Sequence, residues 1–185
     1  TLYLDFIYSH NTKLSTYDDF IETLVRLKND SADTDVISTN LLLESTSPMH
    51  QSIGVPIVTV LKGYGGHKII DEKLPELRAL LPDAFIISLG PIEQDKRCYV
   101  DIATHVDDVT PFICHSDYLV MACGLNAIAQ AYHYDTPLIV VPDNRPHNEQ
   151  DVMAQALVTQ ARALDWQQFC ALITSQDSQY KLADQ

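Results

Sequence analysis

The stretch Tyr118-Leu-Val-Met-Ala-Cys-Gly-Leu-Asn-Ala-Ile-Ala-Gln130 joins an apolar run directly to a helical pattern at Gly124. Four other short apolar runs occur along the chain, at Pro56–Leu61, Ala84–Leu89, Cys98–Ile102 and Leu138–Val141. Each run predicts a strand, and helical patterns separate the runs. Strands that alternate with helices are typical of a parallel sheet that is buried on both faces. The sequence therefore predicts an α/β fold with a doubly wound, Rossmann-like parallel sheet.

Apolar residues at helical spacing define the segments between and after these strands. The predicted helices are Lys68–Leu81, Val109–Cys114, Asn126–Tyr134, His147–Leu164 and Trp166–Ile173. Pro75 should start or kink the first of them, because proline has no amide hydrogen to give to a helix interior.

Residues 1–54 follow a different pattern. Leu2–Tyr8 is predicted as a strand, Tyr17–Leu27 as a helix and Asp35–Ser38 as a second short strand. We expect this region to be an N-terminal extension or the remnant of a preceding domain, and residues 55–185 to form the main domain. The chain opens on Thr1 with neither an initiating Met nor a signal peptide, which suggests a fragment or a processed form.

Composition narrows the class of protein. The chain has 185 residues, which is enough for one main domain with a sizeable core. A net charge of −13 disfavours a surface that attracts nucleic acid or anionic lipid. No apolar run approaches the roughly 18 residues of a membrane span. The 4 cysteines have no CxxC spacing, which favours a reducing cytoplasm, and the 7 histidines lack metal-ligand spacing, so no metal site is expected.

Two glycine turns follow predicted strands. Gly63, Gly65 and Gly66 come after the first strand and Gly124 after the fourth. Such turns let backbone amides approach an anion at the N-terminus of the next helix. Steric need explains them equally well, since Gly124 could permit close strand-to-helix packing while Asn126 caps the helix.

The fifth strand leads into a polar loop that ends at Asn148, Glu149 and Gln150. Glu149 and Gln150, in the first turn of the next helix, could bind the hydroxyl groups of a ligand. The alternative is structural, because Asn148 is a good helix cap and Glu149 favours the positive end of the helix.

Taken together, Ser116–Gln130, Tyr134–Pro142 and Asn148–Gln150 resemble the donor-binding signature in the C-terminal domain of GT-B glycosyltransferases. The nearest pattern is that of the UDP-sugar-dependent families, including the bacterial transferase that adds GlcNAc to the peptidoglycan precursor and the small-molecule UDP-glycosyltransferases. The resemblance covers residues 55–165 and is strongest over 101–152. It implies one half of a GT-B fold, a UDP-sugar as substrate with no resident cofactor, an acceptor, and an N-terminal Rossmann domain or partner chain.

The resemblance also implies roles for single residues. Val106 would hold the uracil, and Gln130 would bind the ribose. Glu149 and Gln150 would bind the sugar. The donor diphosphate would be bound by the backbone of the glycine turns and by Asn126, that is, by Gly63, Gly65, Gly66, Gly124 and Asn126. No residue is identified as a catalytic base.

Three positions depart from the family pattern. Ala122 stands where the plant-type signature has a phosphate-binding His, Gln130 where it has a ribose-binding Glu, and Asp135 where it has Gly. The first two departures favour an alternative, in which the same cleft serves a sugar-nucleotide epimerase, a hydrolase or a binding module without turnover. A plain NAD-binding domain ranks third, since the glycine spacing is not GxGxxG.

Overall fold

A computed structural model describes residues 20, 24, 56–62, 67–106, 108–122, 124–142 and 149–183. Its centre is a sheet of five parallel strands. The strands are β1 (Ile57–Leu61), β2 (Phe85–Leu89), β3 (Ile102–Thr104), β4 (Tyr118–Met121) and β5 (Leu138–Val140). Their order is β3-β2-β1-β4-β5, so β1 lies in the middle. The predicted doubly wound, Rossmann-like parallel sheet is confirmed.

Six α-helices and one 3₁₀ helix connect or follow the strands within these residues. They are α1 (His67–Asp71), α2 (Leu74–Leu80), the 3₁₀ helix (Gln94–Tyr99), α3 (Thr110–His115), α4 (Leu125–His133), α5 (Glu149–Thr159) and α6 (Trp166–Ala183). Pro75 lies in the first turn of α2, as predicted for a helix start. The single predicted helix Lys68–Leu81 is in fact two helices, and α6 extends beyond the predicted Ile173.

Both faces of the sheet are covered. Val58, Val60 and Ile86 pack on one face with residues of α1, α2 and α6, including Leu77 and Phe169. On the other face, Leu119 and Met121 pack with residues of α3, α4 and α5. Because both faces of the sheet are covered, every residue of β2 is buried, and Ser88 is the only polar residue in this strand.

The predicted strand Cys98–Ile102 is wrong in its position. Residues 94–99 form the 3₁₀ helix, and β3 begins only at Ile102. Arg78 explains the shift, since its Nε donates to the Tyr99 carbonyl at 3.0 Å and its Nη2 donates to the Asp101 carboxylate at 2.8 Å. These side-chain bonds hold the segment before β3 against α2, while the Asp101 amide donates to the Ile86 carbonyl of β2 at 2.8 Å.

Of residues 1–54, Phe20 and Leu24 are described, and both are helical and buried. They pack in a cluster with Ile57, Phe85 and Phe112. The two predicted N-terminal strands, Leu2–Tyr8 and Asp35–Ser38, lie outside the described residues.

Candidate functional site

The carboxyl ends of β1 and β4 define the candidate site. The two strands are parallel neighbours, with Leu61 opposite Met121. From β1 the chain proceeds to β2 and β3 on one side of the sheet, and it returns to form β4 and β5 on the other. Such a reversal of strand order opens a crevice at the carboxyl edge, where open α/β sheets bind their ligands. The predicted turn with Gly63, Gly65 and Gly66 follows β1 but lies outside the described residues.

Gly124 is the N-cap of α4, next to the end of β4. Its backbone angles, φ −85° and ψ 130°, are extended values that any residue adopts. The residue is exposed, and no described atom lies within 4 Å of the place where a Cβ would be. Neither its backbone conformation nor packing against the described residues therefore calls for glycine at this position.

Gly90, after β2, shows the opposite situation. Its φ is +112°, and a Cβ there would lie 3.0 Å from the Lys62 carbonyl oxygen. This glycine is needed for the backbone and for close packing.

Gln130 lies on α4, between the sheet-facing residues Ile128 and Ala131. Its side-chain oxygen, Oε1, is buried and has no hydrogen-bond partner among the residues that the structure describes. Burying an amide oxygen without a donor costs free energy. A ligand hydroxyl would recover that cost once a rotation of the Gln130 side chain exposed Oε1, which solvent does not reach in this conformation.

The remaining predicted residues divide into two kinds. Asn126 is exposed on the first turn of α4, and Glu149 is exposed on the first turn of α5. Val106 and Gln150 are half-buried, and Val106 packs against the cluster around Phe85 and Phe112. The apolar side chain of Val106 is thus placed at the carboxyl end of β3. The loop before Glu149 lies outside the described residues.

Sequence reasoning missed a buried ion pair at the same edge. Lys62 directly follows β1, and its Nζ lies 2.5 Å from Oδ1 of Asp71, the last residue of α1. The two side chains are 0% and 1% exposed. Lys62 Nζ also donates to the Pro91 carbonyl at 2.9 Å, and the Glu93 amide donates to Asp71 Oδ2 at 2.8 Å. A lysine right after a buried strand was the only signal in the sequence, and nothing there pairs it with Asp71.

Burial and the neighbouring carboxylates have opposite effects on the pKa of Lys62. Burial lowers the pKa of Lys62 from its ordinary value, because desolvation disfavours the charged ammonium. The hydrogen bond and charge of Asp71, and the charge of Glu93, act in the other direction. The ammonium is thus held by partners from two other segments of the chain.

The carboxyl-terminal end of α4 borders a shallow cavity of about 430 Å³, lined by Ala131, Tyr132, Asp135, Thr136 and Arg162. None of these residues belongs to the predicted site. Asp135 has φ +53°, so it keeps the left-handed conformation for which the related signature uses glycine.

Two features are absent from the described residues. They contain no group of three or more His, Cys, Asp or Glu side chains that could hold a metal ion. No helix among them is both long enough and apolar enough to cross a membrane.

Comparisons with known proteins give likenesses at low sequence identity. No family model matches the chain, and no curated protein matches it. Among solved structures, the kitacinnamycin glycosyltransferase is 15% identical, with a TM-score of 0.49 over 66% of this chain and 35% of its own. A UDP-GlcNAc 2-epimerase from Neisseria meningitidis is 11% identical, with a TM-score of 0.40 over 74% of this chain and 46% of its own.

A third structure, an FMN-dependent Ubix-like decarboxylase from Escherichia coli O157:H7, is 12% identical, with a TM-score of 0.42 over 60% of this chain and 79% of its own. This chain spans about a third of the length of the glycosyltransferase. Each of these likenesses has a TM-score below 0.5, so the function is argued from the site itself.

Proposed function

We propose that this chain is the nucleotide-sugar donor-binding domain of a glycosyltransferase, with a UDP-sugar as donor. The observation that carries the proposal is Gly124. It lies at the switch point of the sheet, at the start of α4, with no described atom within 4 Å of the place of a Cβ and in a backbone conformation that does not need glycine. Approach of a ligand to the backbone is a physical reason for leaving this position without a side chain.

The chemistry expected there is binding and charge stabilisation. A diphosphate beside Gly124 would meet the N-terminal backbone and the positive dipole end of α4. Those groups would offset the charge that develops on the leaving diphosphate as the hexosyl group is transferred. Gln130 Oε1 would accept a hydrogen bond from a ribose hydroxyl, and Val106 would lie against the uracil. The acceptor and the catalytic base would come from a second domain or a partner chain.

Calorimetric titration with UDP, a UDP-sugar, GDP, dTDP and NAD tests the proposal. The uridine nucleotides should bind most tightly, and ligand at about 100 times its dissociation constant should add roughly 2.7 kcal/mol to the free energy of unfolding. Gly124→Val should weaken UDP binding at least tenfold by filling the open space, with little change in melting temperature. Ala171→Val, on the exposed side of α6, is the matched control and should bind UDP as the parent does.

Two results would contradict this assignment. One is a parent chain that binds no uridine nucleotide, and the other is a folded Gly124→Val variant with unchanged affinity for UDP.

Ala122 favours a second candidate, a domain that uses the same cleft for another purpose. Its side chain is half-buried against the core, and it offers no donor to a phosphate. An epimerase or hydrolase would convert the UDP-sugar without an acceptor, and a binding module would leave it intact. Incubating the chain with a UDP-sugar alone and following the products by NMR separates these activities from glycosyl transfer.

A further inference from the structure

The carboxyl edge between β1 and β2 is held together by more than sheet hydrogen bonds. The Lys62 amide donates to the Leu89 carbonyl at 3.0 Å, and the Gly90 amide donates to the Thr104 carbonyl at 3.0 Å. The Lys62 side chain adds its bonds to Asp71 and to the Pro91 carbonyl. One buried lysine therefore joins the end of β1, the end of α1 and the loop that follows β2.

A buried ion pair such as Lys62–Asp71 is not needed to stabilise the fold. Removing two charges from water is costly, and well-packed apolar residues often replace a buried ion pair without loss of stability. What an ion pair with three directed contacts does provide is a fixed geometry. Asp71 uses both carboxylate oxygens, one for Lys62 and one for the Glu93 amide. Neither the segment after β1 nor the segment after β2 can therefore shift without breaking one of these hydrogen bonds.

Lys62 itself does not serve as a phosphate ligand in this arrangement. Its side chain is 0% exposed, and Asp71 and the Pro91 carbonyl already accept its hydrogen bonds. Any effect on a ligand at the neighbouring edge must act through the backbone that the pair holds in place.

We propose that Lys62 and Asp71 are positioning residues for the donor diphosphate, because they fix the carboxyl end of β1, which borders the switch point, against residues 90–93. This inference rests on the proposed function. It predicts that the pair matters for the diphosphate and not for the uridine, whose expected contacts at Val106 and Gln130 lie on other elements.

The experiment compares UDP with uridine in four proteins: the parent, Lys62→Met, Asp71→Asn and the double variant Lys62→Met/Asp71→Leu. Calorimetry gives the dissociation constant of UDP, and ligand-detected NMR gives that of uridine. Each variant should bind UDP at least about tenfold more weakly, since small displacements of positioning groups have effects of this size. Uridine should bind within about twofold of the parent value. The double variant buries no charge, so it should stay folded even where a single variant does not.

A matched ion pair at the other edge of the sheet is the control. Arg78 and Asp101 lie 2.8 Å apart, and the Arg78 side chain donates to the Ala84 carbonyl just before β2. Arg78→Met/Asp101→Leu should lower the melting temperature and leave the ratio of the uridine and UDP dissociation constants unchanged.

The two single variants separate positioning from direct charge. A purely electrostatic effect would weaken UDP binding in Lys62→Met and strengthen it in Asp71→Asn, whereas positioning predicts weaker binding in both. If the parent binds UDP and the folded double variant keeps the parent's preference for UDP over uridine, the inference is overturned and the proposed function stands. If the parent binds no uridine nucleotide, the proposed function fails and this inference fails with it.

Discussion

Gln130 illustrates what a single residue gains from its place in the fold. Its position in the sequence predicts only a helix and, through the family resemblance, a ribose contact. The structure adds that Oε1 is buried without a partner among the described residues, although Gln130 is not on the fully buried stripe of α4. The helix and its glycine start were predictable from local pattern. The orphaned oxygen and the Lys62–Asp71 pair were not, because both depend on which segments pack together.

Substitutions at Gln130 test the ribose contact. A neutral hydrogen bond contributes about 0.5–1.5 kcal/mol and one to a charged acceptor about 1.5–3 kcal/mol. Gln130→Glu should therefore tighten UDP binding by up to about tenfold, because 1.4 kcal/mol is one decade in affinity. The same variant should be less stable without ligand, since it buries a carboxylate. Titration calorimetry and thermal unfolding measure the two effects.

Gln130→Ala should weaken UDP binding by up to about tenfold and should not lower stability through a lost hydrogen bond. Gln155→Ala, on the exposed side of α5, should leave the affinity unchanged. If Gln130→Ala binds UDP as well as the parent does, the ribose does not lie at this position.

At the scale of elements, predictability follows burial. The runs at β1, β2, β4 and β5 are within one residue of their predicted bounds, because strands buried on both faces have nearly continuous apolar sequences. The predicted position of the edge strand β3 is wrong because the start of this strand depends on a contact between Arg78 and Asp101, which are distant from each other in the sequence. Similarly, α6 is longer than its apolar pattern, and polar residues beyond Ile173 continue the helix.

The contact between α2 and α6 leads to a prediction about pH. Glu76 of α2 accepts hydrogen bonds from Trp166 Nε1 at 2.9 Å and from Cys170 Sγ at 3.4 Å. Desolvation by burial, followed by the hydrogen bond to Glu76, raises the pKa of Cys170 from 9.0 to about 11. Between these values the unfolded chain has already lost the thiol proton that the folded chain keeps, so stability falls as pH rises.

Urea unfolding at pH 8, 9, 10 and 11 measures this effect. The free energy of unfolding should decline less steeply in Cys170→Ala than in the parent above pH 9. Cys98→Ala removes an exposed thiol and should follow the parent. Identical slopes for the parent and Cys170→Ala would show that the thiol does not keep its proton in the folded state.

For the whole molecule, the sheet order could be predicted in outline. Right-handed crossovers and short connections leave few ways to arrange five alternating strands, and the parallel sheet with its switch point follows from that alternation. What the sequence does not contain is the open space at Gly124, which depends on where every neighbouring segment ends. The backbone conformation at position 90 requires glycine, whereas the conformation at position 124 does not. This difference between Gly90 and Gly124 is visible only in the folded molecule.

Net charge gives a last prediction, which concerns the whole molecule and not one residue. The chain carries a net charge of −13, and its proposed ligand UDP is also an anion. At about 10 mM salt the screening length is roughly 30 Å, so charges over the entire surface repel UDP, whereas at about 150 mM it is roughly 8 Å and only local groups remain effective. The dissociation constant of UDP should therefore fall several-fold as NaCl is raised from about 10 to 150 mM. Uridine, which is uncharged, should bind equally well at both concentrations. If salt instead weakens UDP binding while uridine is unaffected, nearby cationic groups dominate over the field of the whole protein, and the diphosphate is not held by the backbone and dipole of α4 alone.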